Sequence, residues 1–394
     1  MSNDRHADSR SAGGADSCTR REFIPGSSGA DTGTAIQMRA ERLLAAAFGG
    51  PTRLGHGMPL HGRPNVLRVP LLQGPSGAPA TVVLKCTVGP PGDVATVSGA
   101  PARLLHREWA GLALLGRLAA DAPVAPRLYG GDRTAGFLLL EDLGEDTLDR
   151  VLAGSDPRRA AAALVGLATT LGTMHARTIG TASASARERA ALGATAQDRD
   201  TPRYRHLAAT FREMAAAVDA PLSPAAEADL AQVVAALARP GPFLAYTHGD
   251  PAPGNYLVTP GGVRAIDFEL GRYRHALIEG VHTGAHLPGC WWEERPPTAV
   301  VVRQERAYRL VLAGGCPEAL DLVQFRGAAV VGLAFWSLAT CRAWPAIRAT
   351  TLPAFRAAEA TVQRQRLLAQ LSSVKGKGSP VKLVLRLKIT SGVG

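Results

Sequence analysis

Lysine is almost missing from this chain. Of its 44 Lys and Arg residues five are lysines, and Lys85 stands alone before Lys375. Where arginine fills nearly every cationic role, one retained lysine marks a position that suits a compact ammonium and not a planar guanidinium. Cysteine is scarce too. Cys18, Cys86, Cys290, Cys316 and Cys341 lie far apart without C-x-x-C spacing. That excludes a zinc ribbon and fits unpaired thiols in a reducing compartment, so the expected location is the cytoplasm. Long apolar runs are absent as well: the longest uncharged stretch, Ala160 to Ala176, has 17 residues and is broken by Gly, Thr and His. It is too short and polar to span a bilayer and reads, with Gly327 to Cys341, as a buried helix; no transmembrane segment is expected. Thr19-Arg20-Arg21-Glu22-Phe23-Ile24 is followed by Pro-Gly-Ser-Ser-Gly where a twin-arginine export signal requires an apolar segment, so no such signal is expected.

What is present is an ordinary globular composition, 46% hydrophobic and 20% charged over 394 residues, long enough for two lobes. The net charge of +11 is concentrated at one end: seven basic residues and no acid follow Gln363, leaving +4 for the 362 residues before it. A nucleic-acid-binding body is therefore not indicated, only a basic tail over 363–394. Residues 1 to about 36 are rich in Ser, Gly, Asp and Ala and are expected to be disordered. A helix is predicted from Met38, then strands in TRLGHG, NVLRVPLL and ATVVLKCTV, a helix in LLHREWAGLALLGRLA, and strands in APRLYGGD and GFLLLEDL. After Gly144 the pattern turns helical: Thr147 to Leu152, Pro157 to Arg177, Pro202 to Val218 and Pro224 to Ala238, interrupted by one hairpin at Tyr256 to Ile266. The organisation predicted is a sheet-bearing lobe over 37–142, a hinge near Glu141-Asp142, and a helical lobe over 143–362.

The chemistry concentrates in YTHGDPAPGNYLV and the TPGGVRAIDFEL that follows, Tyr246 to Leu270. Pro260-Gly261-Gly262 is a turn between two short apolar runs. A hairpin centred on Gly261 would set Asn255 opposite Asp267, about 5 Å apart at Cβ. An amide oxygen beside a carboxylate suits a hard cation such as Mg²⁺, which leaves room for water and phosphate. Asp250, on the loop entering the hairpin, is offset from that pair as a base accepting a hydroxyl proton would be. In the first lobe Leu105, Glu108, Leu112 and Leu115 share one helical stripe, so Glu108 either reaches solvent from the stripe's edge or needs a buried partner, for which Lys85 is the one lysine available and an arginine the substitute.

A strand lysine, a helix glutamate, Asp-x4-Asn and a later Asp are the parts of phosphoryl transfer from Mg-ATP. The set His248-Gly249-Asp250 with Asn255, then Asp267-Phe268-Glu269, resembles the aminoglycoside phosphotransferase and choline kinase superfamily over roughly residues 50 to 345. The resemblance implies an α+β, two-lobed protein-kinase-like fold: a small antiparallel-sheet lobe carrying ATP and a larger, mainly helical lobe. It implies that Lys85 holds the α- and β-phosphates, that Glu108 orients it, and that Glu141 and its neighbours offer backbone groups to adenine. Asp250 would deprotonate the acceptor hydroxyl of a small molecule, Asn255 and Asp267 would hold Mg²⁺, and His248 would brace the loop. Gly249 replaces the arginine that grips a phosphorylated activation loop in many protein kinases, and no Ser or Thr follows Asp267 until Thr283, so that form of regulation is not expected. No GxGxxG occurs; Gly55, Gly57 and Gly62 are the phosphate-loop candidates. The alternative from another class is a nucleotide-binding pseudokinase with a regulatory or scaffold role, against which the intact Asp250 speaks.

The acceptor is harder to read. Between Gly271 and Pro345 stand six acids and eight arginines, a balance that points away from a polycationic acceptor. His282, His286 and Cys290 share helical spacing but are only three ligands around a Pro-Gly break, so a metal site is not expected there. Trp291-Trp292 are candidates to line an acceptor pocket by stacking, although core packing explains such aromatics as readily. The tail alternates apolar Val381, Leu383, Leu385, Leu387 and Ile389 with mostly basic residues and receives no role.

Overall fold

Leu67, Val69, Val82, Leu84, Phe137 and Leu139 recur at every second position along three segments and are fully buried, and that period is what lays down the first lobe as a sheet. The computed structural model describes residues 30–60, 63–87, 100–191, 200–217, 220–281 and 296–341. Its first sheet is antiparallel throughout, built from β1 (Arg53–Leu54), β2 (Met58–Leu60), β3 (Arg63–Gln73), β4 (Thr81–Cys86), β5 (Leu128–Asp132) and β6 (Phe137–Glu141). The strand order is β1-β3-β4-β6-β5, with β2 also on β3. The two faces of β6 feed different cores. Phe137 and Leu139 pack with α1 (Ala30–Phe48) through Ile36, Ala40 and Leu44, while Leu138 and Leu140 pack with α2 (Ala100–Leu118) through Leu105 and Leu112.

Helix α1 begins eight residues before the expected Met38 and overlaps the segment expected to be disordered. Ile36 lies four residues before Ala40 on the same buried stripe, so the helix is anchored earlier than the MRAERLLAAAF motif suggests. The rest of the N-terminal segment and the C-terminal tail lie outside the described residues.

The second lobe is helical, with α3 (Leu148–Ala153), α4 (Pro157–Thr178), α5 (Ala182–Ala191), α6 (Asp200–Ala217) and α7 (Pro224–Ala238) before two small strand pairs. These are β7 (Leu244–Thr247) with β10 (Arg272–His275), and β8 (Tyr256–Thr259) with β9 (Gly262–Ala265). Then follow α8 (Leu277–Gly280), α9 (Thr298–Leu312) and α10 (Leu322–Thr340). Helix α4 starts at Pro157 because Asp156 caps it, accepting from the N–H groups of Arg158 and Arg159 at 2.9 and 3.0 Å. Among the described residues α10 alone is apolar and long enough to cross a membrane, over Leu322–Ala339, but more than half of that stretch is buried in the protein. Phe325 and Leu333 join the main core and Phe335 and Leu338 a second one, as the reading of Gly327 to Cys341 as a core helix expected. The α+β architecture expected, a small antiparallel-sheet lobe and a larger, mainly helical lobe, is therefore the one observed.

Candidate active site

Between the lobes lies a cleft of about 330 Å³. Val66 and Val83 wall it from the sheet, Leu257 and Ile266 from the hairpin, and Leu140 to Gly144 close its back. Its polar end gathers Lys85, Glu108 and Asp267. The Lys85 ammonium stands 2.6 Å from Glu108 Oε2 and 2.5 Å from Asp267 Oδ1. The lone early lysine and the stripe glutamate are thus paired, across β4 and α2.

Burial works against the Lys85 charge, but the two carboxylates outweigh it and hold its pKa above the ordinary lysine value. Burial also pulls Asp267 up, and Lys85 with Arg63 overcomes it, leaving Asp267 below the usual aspartate range. Glu108, buried deeper, is pushed up by desolvation. Of the two carboxylates on this ammonium, Asp267 is the more acidic.

The hairpin differs from expectation by one residue. Thr259 pairs Gly262 and Tyr256 pairs Ala265, so the turn is Pro260-Gly261 and the register continues to Asn255 opposite Ile266, not Asp267. The Ile266 N–H donates to the Asn255 carbonyl at 2.9 Å, which closes that pairing. Asp267 follows in left-handed backbone, φ 69°, the one positive φ outside glycine among the described residues. That conformation turns the chain out of the strand, so alternation does not set the direction of its side chain.

The Asn255 amide nitrogen donates to the Asp250 carbonyl at 3.1 Å and to Asp250 Oδ2 at 3.2 Å. Both partners can only accept, so the nitrogen faces Asp250 and the amide oxygen is left to face elsewhere. The imidazole of His248 holds the same loop from beneath. Its Nε2 is 2.6 Å from the Ile266 carbonyl, so that nitrogen donates, and Nδ1 accepts from the Asp250 N–H at 3.3 Å. His248 is buried against Phe268 and Tyr256 and ties Asp250 to the strand leading into Asp267. Gly249 is fixed by space as well as by its φ of +96°: a Cβ there would meet the Leu270 carbonyl oxygen at 2.2 Å.

Under this loop sits a residue that the sequence reading counted only as an acid on the acceptor side. Glu279 is fully buried and accepts from the His248 N–H at 2.9 Å and the Gly249 N–H at 2.7 Å. Arg274 pairs with it at 2.8 Å, and His175 Nε2 lies 3.5 Å away. Burial works to raise its pKa, and His175, Arg274 and the His248 side chain bring it far below the usual glutamate value. Arg272, counted among the acceptor-side arginines, pairs with Asp200 at 3.1 Å, and Asp321 caps α10. The tally of six acids against eight arginines therefore counts buried pairs and caps and says little about the acceptor. His282, His286, Cys290 and Trp291-Trp292 lie outside the described residues.

Glu141 lies at the cleft's back, yet its carboxylate is engaged elsewhere, with Arg264 at 2.7 Å and the Arg127 N–H at 3.0 Å. Its N–H is taken too, donating to the Arg127 carbonyl at 2.9 Å, which leaves its carbonyl to face a ligand. Gly55 and Gly57 stand between β1 and β2 and are not among the residues that line the cleft. Gly55 makes room for β3, since a Cβ would meet Pro70 at 2.8 Å. The lining here comes from Leu60 and Arg63, which flank the β2–β3 turn, where Gly62 falls outside the described residues. Arg63 reaches Asp267 Oδ2 at 3.5 Å, and a search for glycines alone passes over it.

These residues belong to a recognisable class. Residues 96–323, more than half of the chain, match the family model described as the phosphotransferase enzyme family, APH. The chain is a member of that family of phosphotransferases acting on small molecules. No curated protein sequence matches it. Solved structures are similar only loosely. An aminoglycoside 2'-phosphotransferase-IIIa in complex with GDP is 11% identical, with 84% of this chain and 98% of that one covered and a TM-score of 0.44. An ethanolamine kinase from Plasmodium vivax is 12% identical over 83% of each chain, TM-score 0.40. A macrolide 2'-phosphotransferase from Brachybacterium faecium is 18% identical over 82% of this chain and 96% of that one, TM-score 0.37. Likenesses this loose do not bear on the acceptor.

Proposed function

We propose that this protein transfers the γ-phosphate of ATP to a hydroxyl group of a small molecule, with Asp250 as the base and Mg²⁺ as the metal. The observation that carries the reading is the Lys85 ammonium held between Glu108 and Asp267 in a cleft that Val66, Val83, Leu140 and Leu257 also line. Lys85 takes the α- and β-phosphates, and Glu108 keeps the ammonium in place while they bind. Val66, Val83, Leu140 and Leu257 sandwich the base, which the backbone of Glu141 to Leu143 addresses.

Among the described residues no three His, Cys, Asp or Glu side chains converge as a metal cage. One ionised carboxylate, Asp267, and one amide oxygen, that of Asn255, are a donor set Mg²⁺ accepts, because it completes its shell with water and phosphate. When bound, Mg²⁺ supplies charge neutralisation across the β- and γ-phosphates. Asp250 is exposed, and Asn255 and His248 hold its backbone and carboxylate, so it can accept the proton of an incoming hydroxyl. On this reading residues 37–142 bind the nucleotide, 143–362 carry the acceptor, and neither nucleic acid nor the tail at 363–394 takes part. The pseudokinase alternative has no observation in its favour.

A screen of small hydroxylated acceptors with ADP release as readout, run beside Asp250→Ala, tests the proposal. The substitution lowers turnover by about 10²- to 10⁴-fold with nucleotide binding retained. Equal turnover in both proteins overturns the role of Asp250, and nucleotide binding with no acceptor-stimulated turnover favours the pseudokinase.

A further inference from the structure

We propose that Arg63 is the clamp for the terminal phosphate, doing with a side chain what a glycine-rich loop does with backbone. The inference rests on the reading of the cleft as a nucleotide site and goes beyond it.

Arg63 is the first residue of β3, directly after the turn from β2, and both it and Leu60 line the cleft. The sheet thus brings a cation down over the polar end at the place where a phosphate-covering loop belongs, while Gly55 and Gly57 stand away from the cleft. Two cations lean on Asp267, from opposite oxygens: Lys85 on Oδ1 at 2.5 Å and Arg63 on Oδ2 at 3.5 Å. They are held differently. Lys85 is mostly buried and shared with Glu108, whereas the Arg63 side chain is 58% exposed and touches Asp267 at the limit of an ion pair.

A cation bound by a long contact in an exposed setting gives up little when it moves. Once the Asp267 carboxylate is engaged by a metal, Arg63 is the partner displaced, and the nearest anion to receive it is the phosphate beside that metal. With Lys85 assigned to the α- and β-phosphates, Arg63, on the other oxygen of Asp267, is the cation left for the γ-phosphate. A planar guanidinium offers two parallel donors to phosphate oxygens, which an ammonium does not. Arg150, the other arginine lining the cleft, is at the hinge end, donating to the Glu145 carbonyl at 3.4 Å.

Equilibrium binding of a non-hydrolysable ATP analogue and of ADP, each with Mg²⁺, to the full-length protein and to Arg63→Ala separates the possibilities. The expected result is a loss of about tenfold in affinity for the triphosphate with ADP binding changed less than twofold. An unliganded melting temperature equal to that of the wild type shows that the fold is intact. If the triphosphate and ADP weaken together, or neither weakens, Arg63 is only a surface latch to Asp267 and the inference falls while the nucleotide reading stands. If the wild type binds neither nucleotide, the reading of the cleft falls, and this inference with it.

Discussion

Asp267 and Glu279 are both carboxylates held ionised against burial, and they are held by opposite means. Glu279 has no exposure, and its oxygens are taken by two backbone N–H groups, the buried Arg274 guanidinium and the buried His175 Nε2. Asp267 keeps 17% of its side chain exposed and, among the described residues, pairs with the side chains of Lys85 and Arg63. Backbone donors cannot leave without unfolding the loop, while side-chain cations swing away when a better anion or a metal arrives. One carboxylate is therefore a fixture of the fold, and the other is available for chemistry.

Asp267→Asn is expected to lower turnover about a thousandfold, as loss of an essential electrostatic group does, while the denaturation midpoint hardly moves. Lys85 retains Glu108 in that variant, so no buried charge is orphaned. Glu279→Gln should do the reverse in emphasis. It leaves Arg274 buried beside a neutral amide and forces an amide N–H₂ toward backbone donors, at a cost of about 3 kcal/mol in unfolding free energy. Turnover then falls less than in Asp267→Asn, because Asp250 loses the support under its loop but not its carboxylate. A stable, fully active Glu279→Gln would show that the loop does not depend on this anchor.

The sequence showed one of these carboxylates and hid the other for a physical reason. Asp267 announces itself by its neighbours in the chain, a turn and an amide twelve residues earlier. The partners of Glu279 are backbone groups of His248 and Gly249, which no composition or charge count reveals. Lys85 was legible from scarcity and Glu108 from its place on an apolar stripe, since burying a charge demands a partner. The hairpin was legible but its register was not. Pro-Gly-Gly allows the turn to close on either side of Gly261, and a slip of one residue changes which residues face each other. Arg63 carries no sequence signal, because a lone arginine between Gly62 and Pro64 belongs to no motif and its reach to Asp267 is set by the fold. The strands and most helices followed from their periods, whereas α5 carries no apolar stripe to announce it.

The corner that holds Glu279 also holds a group buried in its neutral form, and acid distinguishes the two. His275, four residues earlier, is buried, stacks on Phe243 at 5.7 Å, and accepts from the Leu277 N–H at 3.2 Å through Nδ1. Burial lowers its pKa from 6.5 to about 4, with the nearby His175 adding to the effect. Between those values the unfolded chain binds a proton that the folded protein refuses, so stability falls as pH drops through this window. From pH 6.5 to pH 5 the loss is roughly 1.5–2 kcal/mol. Glu279 behaves differently: its pKa is depressed, so its contribution is complete above the unfolded value of 4.5 and is lost only as pH falls toward a folded value far below it. Denaturant titrations between pH 7 and pH 4 should therefore show a decline beginning near pH 6.5, and His275→Gln, which keeps an acceptor but cannot take the proton, should flatten it. A decline of the same size in His275→Gln would place the titrating group elsewhere.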